Sequence, residues 1–78
     1  MCGIAGIIDL RGGQDQERIA AQVAAMLETV RERGPDASGV WRADGVTLGH
    51  RRLRVIDLSA EADQPMASAS GDEVVVYN

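Results

Sequence analysis

The sequence lacks most of what builds a large aromatic core or a membrane span. Its 78 residues include one tryptophan, one tyrosine and no phenylalanine. No stretch approaches the roughly 20 apolar residues that a transmembrane helix needs. The apolar opening at residues 3–8 is too short for the core of a secretory signal and has no basic flank. The sequence therefore predicts a globular, cytoplasmic protein.

Cysteine and positive charge are also scarce. Cys2 is the single cysteine, which excludes an internal disulfide and fits a reducing compartment. The net charge of −4 excludes a broad basic surface for nucleic acid. Arg51, Arg52 and Arg54 form a local basic cluster, and composition alone favours a solvated strand edge for it. The segment Arg11-Gly12-Gly13 lacks the glycine spacing and the lysine of a phosphate-binding loop.

One long segment has the apolar spacing of a helix. A helix is predicted from Gln16 to about Arg33, with Asp15 as its N-cap. Gly34 should take the left-handed position after the helix, and Pro35 cannot continue it. The apolar face should consist of Ile19, Val23, Met26, Leu27 and Val30.

The remaining apolar segments are short and predict strands. Residues 4–8 form an apolar run without strict alternation, which indicates a strand buried on both faces. A second strand at residues 38–42 and its hairpin partner at residues 46–50 should flank the turn signal Asp44-Gly45. The other predicted strand segments are residues 66–68 and 73–77. This order of one strand, one helix and then antiparallel strands predicts an α+β fold.

The short length and the last strand predict a chain that is one part of a longer domain. A chain of this size buries only about 60% of the surface that its unfolded form exposes. The β-branched run at residues 74–76 is the strongest strand signal, and nothing follows to protect it. We therefore expect the domain to continue beyond residue 78.

Cys2 is the residue with the most distinctive chemistry. After removal of Met1, Cys2 would carry a free α-amino group beside its thiol. An α-amino group has an ordinary pKa of about 7.7–8.0, so it can act as a general base for the thiol near neutral pH. A cysteine at this position is by itself more often a small strand residue, so the surrounding motifs decide.

Four motifs follow one another along the chain. They are MCGIAG at residues 1–6, RGPDASG at 33–39, GHRRLRVIDLS at 49–59 with QPM at 64–66, and YN at 77–78. In this order they resemble class II glutamine amidotransferases, which are N-terminal-nucleophile hydrolases. Together they cover nearly the whole chain. The second and third motifs are similar to those of the asparagine synthetase branch of this family.

The resemblance implies a role for each matched position. Cys2 would attack the side-chain amide of glutamine, and Asn78 would be catalytic by donating to the resulting oxyanion. Arg52 would bind the α-carboxylate of glutamine, which suits a guanidinium. The backbone of Val55 and Ile56 would line the same substrate site.

Three further residues have structural interpretations. His50 invites a catalytic role, but the base is already supplied, so we expect a packed or hydrogen-bonded strand residue. Asp36 should fix its own loop through backbone hydrogen bonds. Trp41 and the apolar face of the helix are expected to be core.

The resemblance also implies a fold and partners. It implies the αββα sandwich of N-terminal-nucleophile hydrolases, truncated to its first strands and first helix. Residues 1–78 would be the N-terminal part of the glutaminase domain, with glutamine as substrate and no metal or cofactor in this segment. The absent synthetase domain would use ATP and magnesium to amidate aspartate with the released ammonia. The resemblance is compatible with a homodimer and implies no nucleic-acid or membrane partner.

Two alternatives stay open from the sequence. An asparagine synthetase-like protein can amidate another carboxylate, and this segment does not choose the acceptor. A short interaction module, whose last strand adds to a partner sheet, is the other alternative. We expect little glutaminase activity from these residues alone, because the family's Gly-Glu after Asn78 and its later acidic residue are absent.

Overall fold

The protein has an α+β fold built from two antiparallel sheets and one long helix, as the sequence predicts. A computed structural model describes residues 2–54 and 60–78. The elements in chain order are β1 (Gly3–Ile8), α1 (Gln16–Thr29), β2 (Ala37–Ala43), β3 (Val46–Arg52), a 3₁₀ turn (Ala60–Ala62), β4 (Met66–Ala67) and β5 (Val74–Val75). The first sheet has the order β1-β3-β2, and β4 pairs with β5. The predicted hairpin joins β2 to β3, with Gly45 at a φ of +79°.

Helix α1 begins where its N-cap predicts and ends earlier than expected. The Asp15 carboxylate accepts the N–H of Glu17 at 3.0 Å. The helix ends at Thr29 rather than near Arg33, because the following residues form tighter turns. In these turns each N–H bonds a carbonyl three residues back, a common way to satisfy the last carbonyls of a helix. The donors are Val30, Arg31, Arg33 and Gly34.

Small residues on the sheet allow α1 to pack closely against it. A Cβ at Gly49 would lie 2.8 Å from Leu27 Cδ1 and 2.9 Å from Val23 Cγ1. A Cβ at Gly3 would lie 2.7 Å from Val30 Cγ2. The helix therefore covers the face of the sheet that carries the two glycines. The buried apolar side chains of the described residues are Ile19, Val23 and Leu27, whereas Met26 is exposed.

The opposite face of the sheet carries apolar side chains that the described residues cover only in part. Ile4 and Ile8 lie on this face, opposite His50 and Val46 of β3, and are 51% and 66% exposed. Trp41 of β2 lies on the same face and is half-buried. The prediction that β1 is buried on both faces is therefore wrong for the described chain. β1 is an edge strand, and α1 covers one of its two faces.

Gly34 is needed for a close approach between two backbone segments, and the expected left-handed conformation is wrong. Glycines with positive φ in the described chain are Gly12, Gly13, Gly45 and Gly71. A Cβ at Gly34 would lie 2.6 Å from the Arg52 nitrogen and closer still to the Arg51 carbonyl group. The turn after α1 therefore lies directly against β3.

Candidate active site

One pocket brings together two of the predicted site residues from the two ends of the chain. Cys2 and Asn78 both line a cavity of about 250 Å³. The other lining residues are Gly3, Ile4, Val30 and Arg33. Arg52 is absent from this lining among the described residues. The pocket therefore contains the predicted nucleophile and the predicted oxyanion donor, and the predicted carboxylate-binding arginine lies outside it.

The end of β3 connects the thiol to Arg52. The backbone N–H of Leu53 points at the Cys2 sulfur, with the two heavy atoms 3.5 Å apart. Cys2 is half-buried and is paired with no other cysteine. Because Leu53 directly follows Arg52, the predicted carboxylate-binding residue is one peptide unit from a group that touches the nucleophile.

Arg52 is a buried cation with an acidic partner. Its side chain is 8% exposed, and Nη1 lies 2.5 Å from Oδ1 of Asp63. Arg54 reaches the same carboxylate, with Nη2 2.7 Å from Oδ2. Hydrogen bonds from Arg54 and Arg52 hold the pKa of Asp63 below its usual range, against the opposing effect of desolvation. Asp63 therefore joins both arginines, and the sequence contained no signal for this contact.

Asp36 connects the loop after α1 to the same strand end. Its N–H donates to the carbonyl of Arg52 at 3.0 Å, and its Oδ2 accepts the N–H of Arg54 at 2.8 Å. The expectation that Asp36 fixes its own loop is therefore wrong. Its carboxylate instead holds the backbone beyond β3.

The basic cluster is buried at its centre and is not a solvated strand edge. Arg51 is 9% exposed and its Nε donates to the carbonyl of Gly34 at 2.8 Å. β3 is the central strand of its sheet, so residues near its end are enclosed by neighbours. Arg33, at the end of the predicted helix and the start of the second motif, lines the pocket with Cys2. Its guanidinium favours an anionic group in this pocket.

His50 is a buried, hydrogen-bonded strand residue, as predicted. It is 1% exposed, and Nε2 lies 3.0 Å from the carbonyl oxygen of Tyr77. Nδ1 is buried and has no hydrogen-bond partner within residues 2–54 and 60–78. Gln64 holds the other side of the same residue, since its Oε1 accepts the N–H of Tyr77 at 2.7 Å.

The remaining expectations concern the backbone of the substrate site, metal ligands and membrane spans. Val55 and Ile56, predicted to line the substrate site, lie outside the described residues. In the described ranges, no group of three or more His, Cys, Asp or Glu side chains is arranged to hold a metal ion. No helix of residues 2–54 and 60–78 is long and apolar enough to cross a membrane.

Known proteins are similar to this sequence along its whole length. The family model of a glutamine amidotransferase domain matches residues 1–78. Asparagine synthetase [glutamine-hydrolyzing] 3 of Bacillus subtilis is 40% identical over 80 residues, which cover 100% of this chain and 12% of that protein. Asparagine synthetase B of Escherichia coli is 32% identical over 78 residues, covering 100% of this chain and 14% of that protein.

A third relative has a different name and a similar identity to this chain. Amidase chry2 of Gibberella zeae is 36% identical over 87 residues, which cover 100% of this chain and 13% of that protein. The chain thus spans only 12% to 14% of the length of these three relatives. Since the family model matches the whole chain, the chain belongs to the glutamine amidotransferase domain family.

Proposed function

We propose that this chain is the N-terminal part of the glutaminase domain of a glutamine-hydrolysing asparagine synthetase. Cys2 is the nucleophile and Asn78 stabilises the oxyanion. The observation that carries the proposal is that Cys2 and Asn78 line the same pocket. Identity of 32% to 40% with asparagine synthetases over the full chain supports the same function.

The proposed reaction is acyl transfer from nitrogen to sulfur and then to water. The sulfur of Cys2 attacks the carboxamide carbon of glutamine, and its proton passes to the α-amino group that removal of Met1 frees. The side-chain N–H of Asn78 donates to the oxygen that becomes negative. The α-amino group then protonates the departing nitrogen, so ammonia leaves and a thioester remains. Water hydrolyses the thioester to glutamate and restores the thiol.

Arg52 is proposed to bind the α-carboxylate of glutamine. The support is its place next to Leu53, whose N–H lies 3.5 Å from the Cys2 sulfur. A guanidinium binds a carboxylate through two parallel N–H donors, which suits this role. The backbone of Val55 and Ile56 is proposed to complete this subsite.

The fold that we propose for the intact domain is the αββα sandwich of N-terminal-nucleophile hydrolases. Its first sheet would be β1-β3-β2, with α1 on one side and a second sheet on the other. The support is the partly uncovered apolar face of that sheet, where Ile4 is 51% exposed. Val76, just beyond β5, already lines a cavity of about 300 Å³ with Ile4 and Leu48 of this face. β4 and β5 would be the beginning of the second sheet.

Aspartate is the proposed acceptor of the ammonia, in a synthetase domain elsewhere in the longer protein. ATP and magnesium would act in that domain. The described residues of this chain offer no matching set of metal ligands, so no step through magnesium is assigned to them. Another carboxylate is the second candidate acceptor, since amidase chry2, a relative whose name does not include asparagine synthesis, is 36% identical to this chain.

Replacement of Cys2 in the natural polypeptide tests the proposal. The Cys2→Ala variant should lose glutamine-dependent asparagine formation and keep formation from ammonium chloride and aspartate. The ammonium-dependent reaction is the internal control for folding and for the acceptor. Glutamine-dependent synthesis that survives in Cys2→Ala would refute the assigned nucleophile. Absence of any aspartate-dependent product in the unchanged protein would instead favour the other acceptor.

A further inference from the structure

The backbone of Tyr77 is held on both sides by buried side chains from distant parts of the chain. His50 Nε2 is 3.0 Å from its carbonyl oxygen, and Gln64 Oε1 accepts its N–H at 2.7 Å. His50 is 1% exposed and Gln64 is 8% exposed, so water cannot readily replace either hydrogen bond. The ring of Tyr77 is itself exposed, so packing of the ring does not hold this segment.

These two bonds take the place of a strand ladder. β5 ends at Val75, and residues 76–78 have no strand pairing in the described chain. A backbone segment outside a sheet needs other partners for its N–H and C=O groups. The carbonyl that His50 contacts belongs to the peptide that joins Tyr77 to Asn78. The two hydrogen bonds therefore fix the position of the Asn78 backbone nitrogen.

The surroundings of His50 define which nitrogen carries the proton. To donate to a carbonyl, Nε2 must bear the hydrogen, which leaves Nδ1 as an acceptor in neutral imidazole. Nδ1 is buried and has no partner among the described residues. The hydrogen bond to the Tyr77 carbonyl therefore requires the hydrogen on Nε2.

Gly39 allows the Gln64 segment to reach this position. A Cβ at Gly39 would lie 3.1 Å from Pro65 Cδ and closer still to the Gln64 carbonyl oxygen. Gly39 faces His50 across the β2–β3 ladder, so both holding residues converge on one part of the sheet. A rigid scaffold of two strands thus supports the backbone contacts at Tyr77.

We propose that His50 and Gln64 are positioning residues that aim the Asn78 amide at the oxyanion, through their bonds to the Tyr77 backbone. The proposal rests on the proposed glutaminase function. An oxyanion donor acts by being in place before the charge develops. Loss of its support should therefore reduce turnover while leaving substrate affinity nearly unchanged.

The test compares isosteric variants in the natural polypeptide. His50→Leu and Gln64→Met should lower the kcat of glutamine hydrolysis by about 10- to 100-fold, less than the 10²–10³-fold typical of losing the donor itself. KM should change less than about threefold, because ground-state binding is kept. His50→Gln, whose amide N–H can replace Nε2–H, should recover most of the rate. Thr47→Val is the matched control, since Thr47 is another buried polar residue of β3 and its hydroxyl has no partner in the part of the chain that the structure describes.

A second measurement separates positioning from general damage. The aldehyde analogue of glutamine forms a tetrahedral adduct with a thiol, whereas the product glutamate stays planar. Weaker binding of the aldehyde in proportion to the kcat loss, with unchanged binding of glutamate, is the expected result. Only the folded fraction of a variant binds either ligand. Partial unfolding therefore leaves the ratio of aldehyde affinity to glutamate affinity unchanged.

Defined results would overturn the proposal. An unchanged kcat in His50→Leu and Gln64→Met would do so, as would equal losses of aldehyde and glutamate affinity. Asn78→Ala is measured in parallel to separate this proposal from the proposed function. If Asn78→Ala is inactive and the two supporting variants are active, only the positioning role fails. If Asn78→Ala is fully active, the assigned oxyanion hole fails as well.

Discussion

One added methyl group at Gly34 should disturb the candidate site more than its size suggests. The new Cβ would lie 2.6 Å from the Arg52 nitrogen and nearer to the Arg51 carbonyl group. Carbon atoms normally pack at about 3.5–4.0 Å, so the loop and β3 must separate by about 1 Å. All three neighbouring atoms are backbone atoms, so no side chain can rotate away. We expect Gly34→Ala to cost about 3 kcal/mol, the upper part of the range for overpacking.

The assay is urea unfolding of the natural polypeptide, with glutaminase activity measured in parallel. Activity should fall as well, because Gly34 lies between Arg33, which lines the pocket, and Asp36, which holds the backbone beyond β3. Gly13→Ala is the control, because no atom of the described residues lies within 4 Å of its added Cβ. Its left-handed φ of +84° is the one expected penalty, roughly 1 kcal/mol. Equal costs for the two variants would refute the close approach.

Three further predictions concern charged side chains. Arg52→Lys should raise the KM for glutamine by about 10- to 100-fold, because lysine lacks the planar fork that binds a carboxylate, and steady-state kinetics measure it. The pKa of Asp63 is lowered in the folded state by hydrogen bonds from Arg54 and Arg52, so its stabilising contribution is present above the ordinary aspartate pKa and is lost as the pH falls below about 4. Asp63→Asn should therefore lower the free energy of unfolding at pH 7 and make it depend less on pH in the acid range. An unchanged dependence on pH would contradict the ion pairs. Glu17→Gln should change the free energy of unfolding by less than about 0.5 kcal/mol, because the ion pair of Glu17 with Arg42 is exposed. A larger loss in urea unfolding would contradict a small contribution from this pair.

Local sequence signals predicted the elements that depend on local chemistry. The helix follows from its apolar spacing and the Asp15 cap, and the β2–β3 hairpin follows from Asp44-Gly45. Family membership followed from motifs, and the match over residues 1–78 confirms it. The roles of Cys2, Arg52 and Asn78 stay predictions that need kinetics.

The features that the sequence did not predict depend on tertiary contacts. Gly34 looked like a left-handed helix terminus, but its neighbour is the backbone of a distant strand. Periodicity in β1 could not distinguish a central strand from an edge strand with one face uncovered. Asp63 lies in a polar loop whose sequence does not reveal that it folds back onto Arg52 and Arg54.

The most direct test of the central claim is the intact mass of the natural polypeptide before and after treatment with an electrophilic glutamine analogue. The proposal predicts a protein that lacks Met1 and gains one adduct, mapped to Cys2 by peptide sequencing. Excess glutamine should protect against the labelling. A protein that retains Met1 and gains no adduct would contradict Cys2 as the nucleophile that takes ammonia from glutamine.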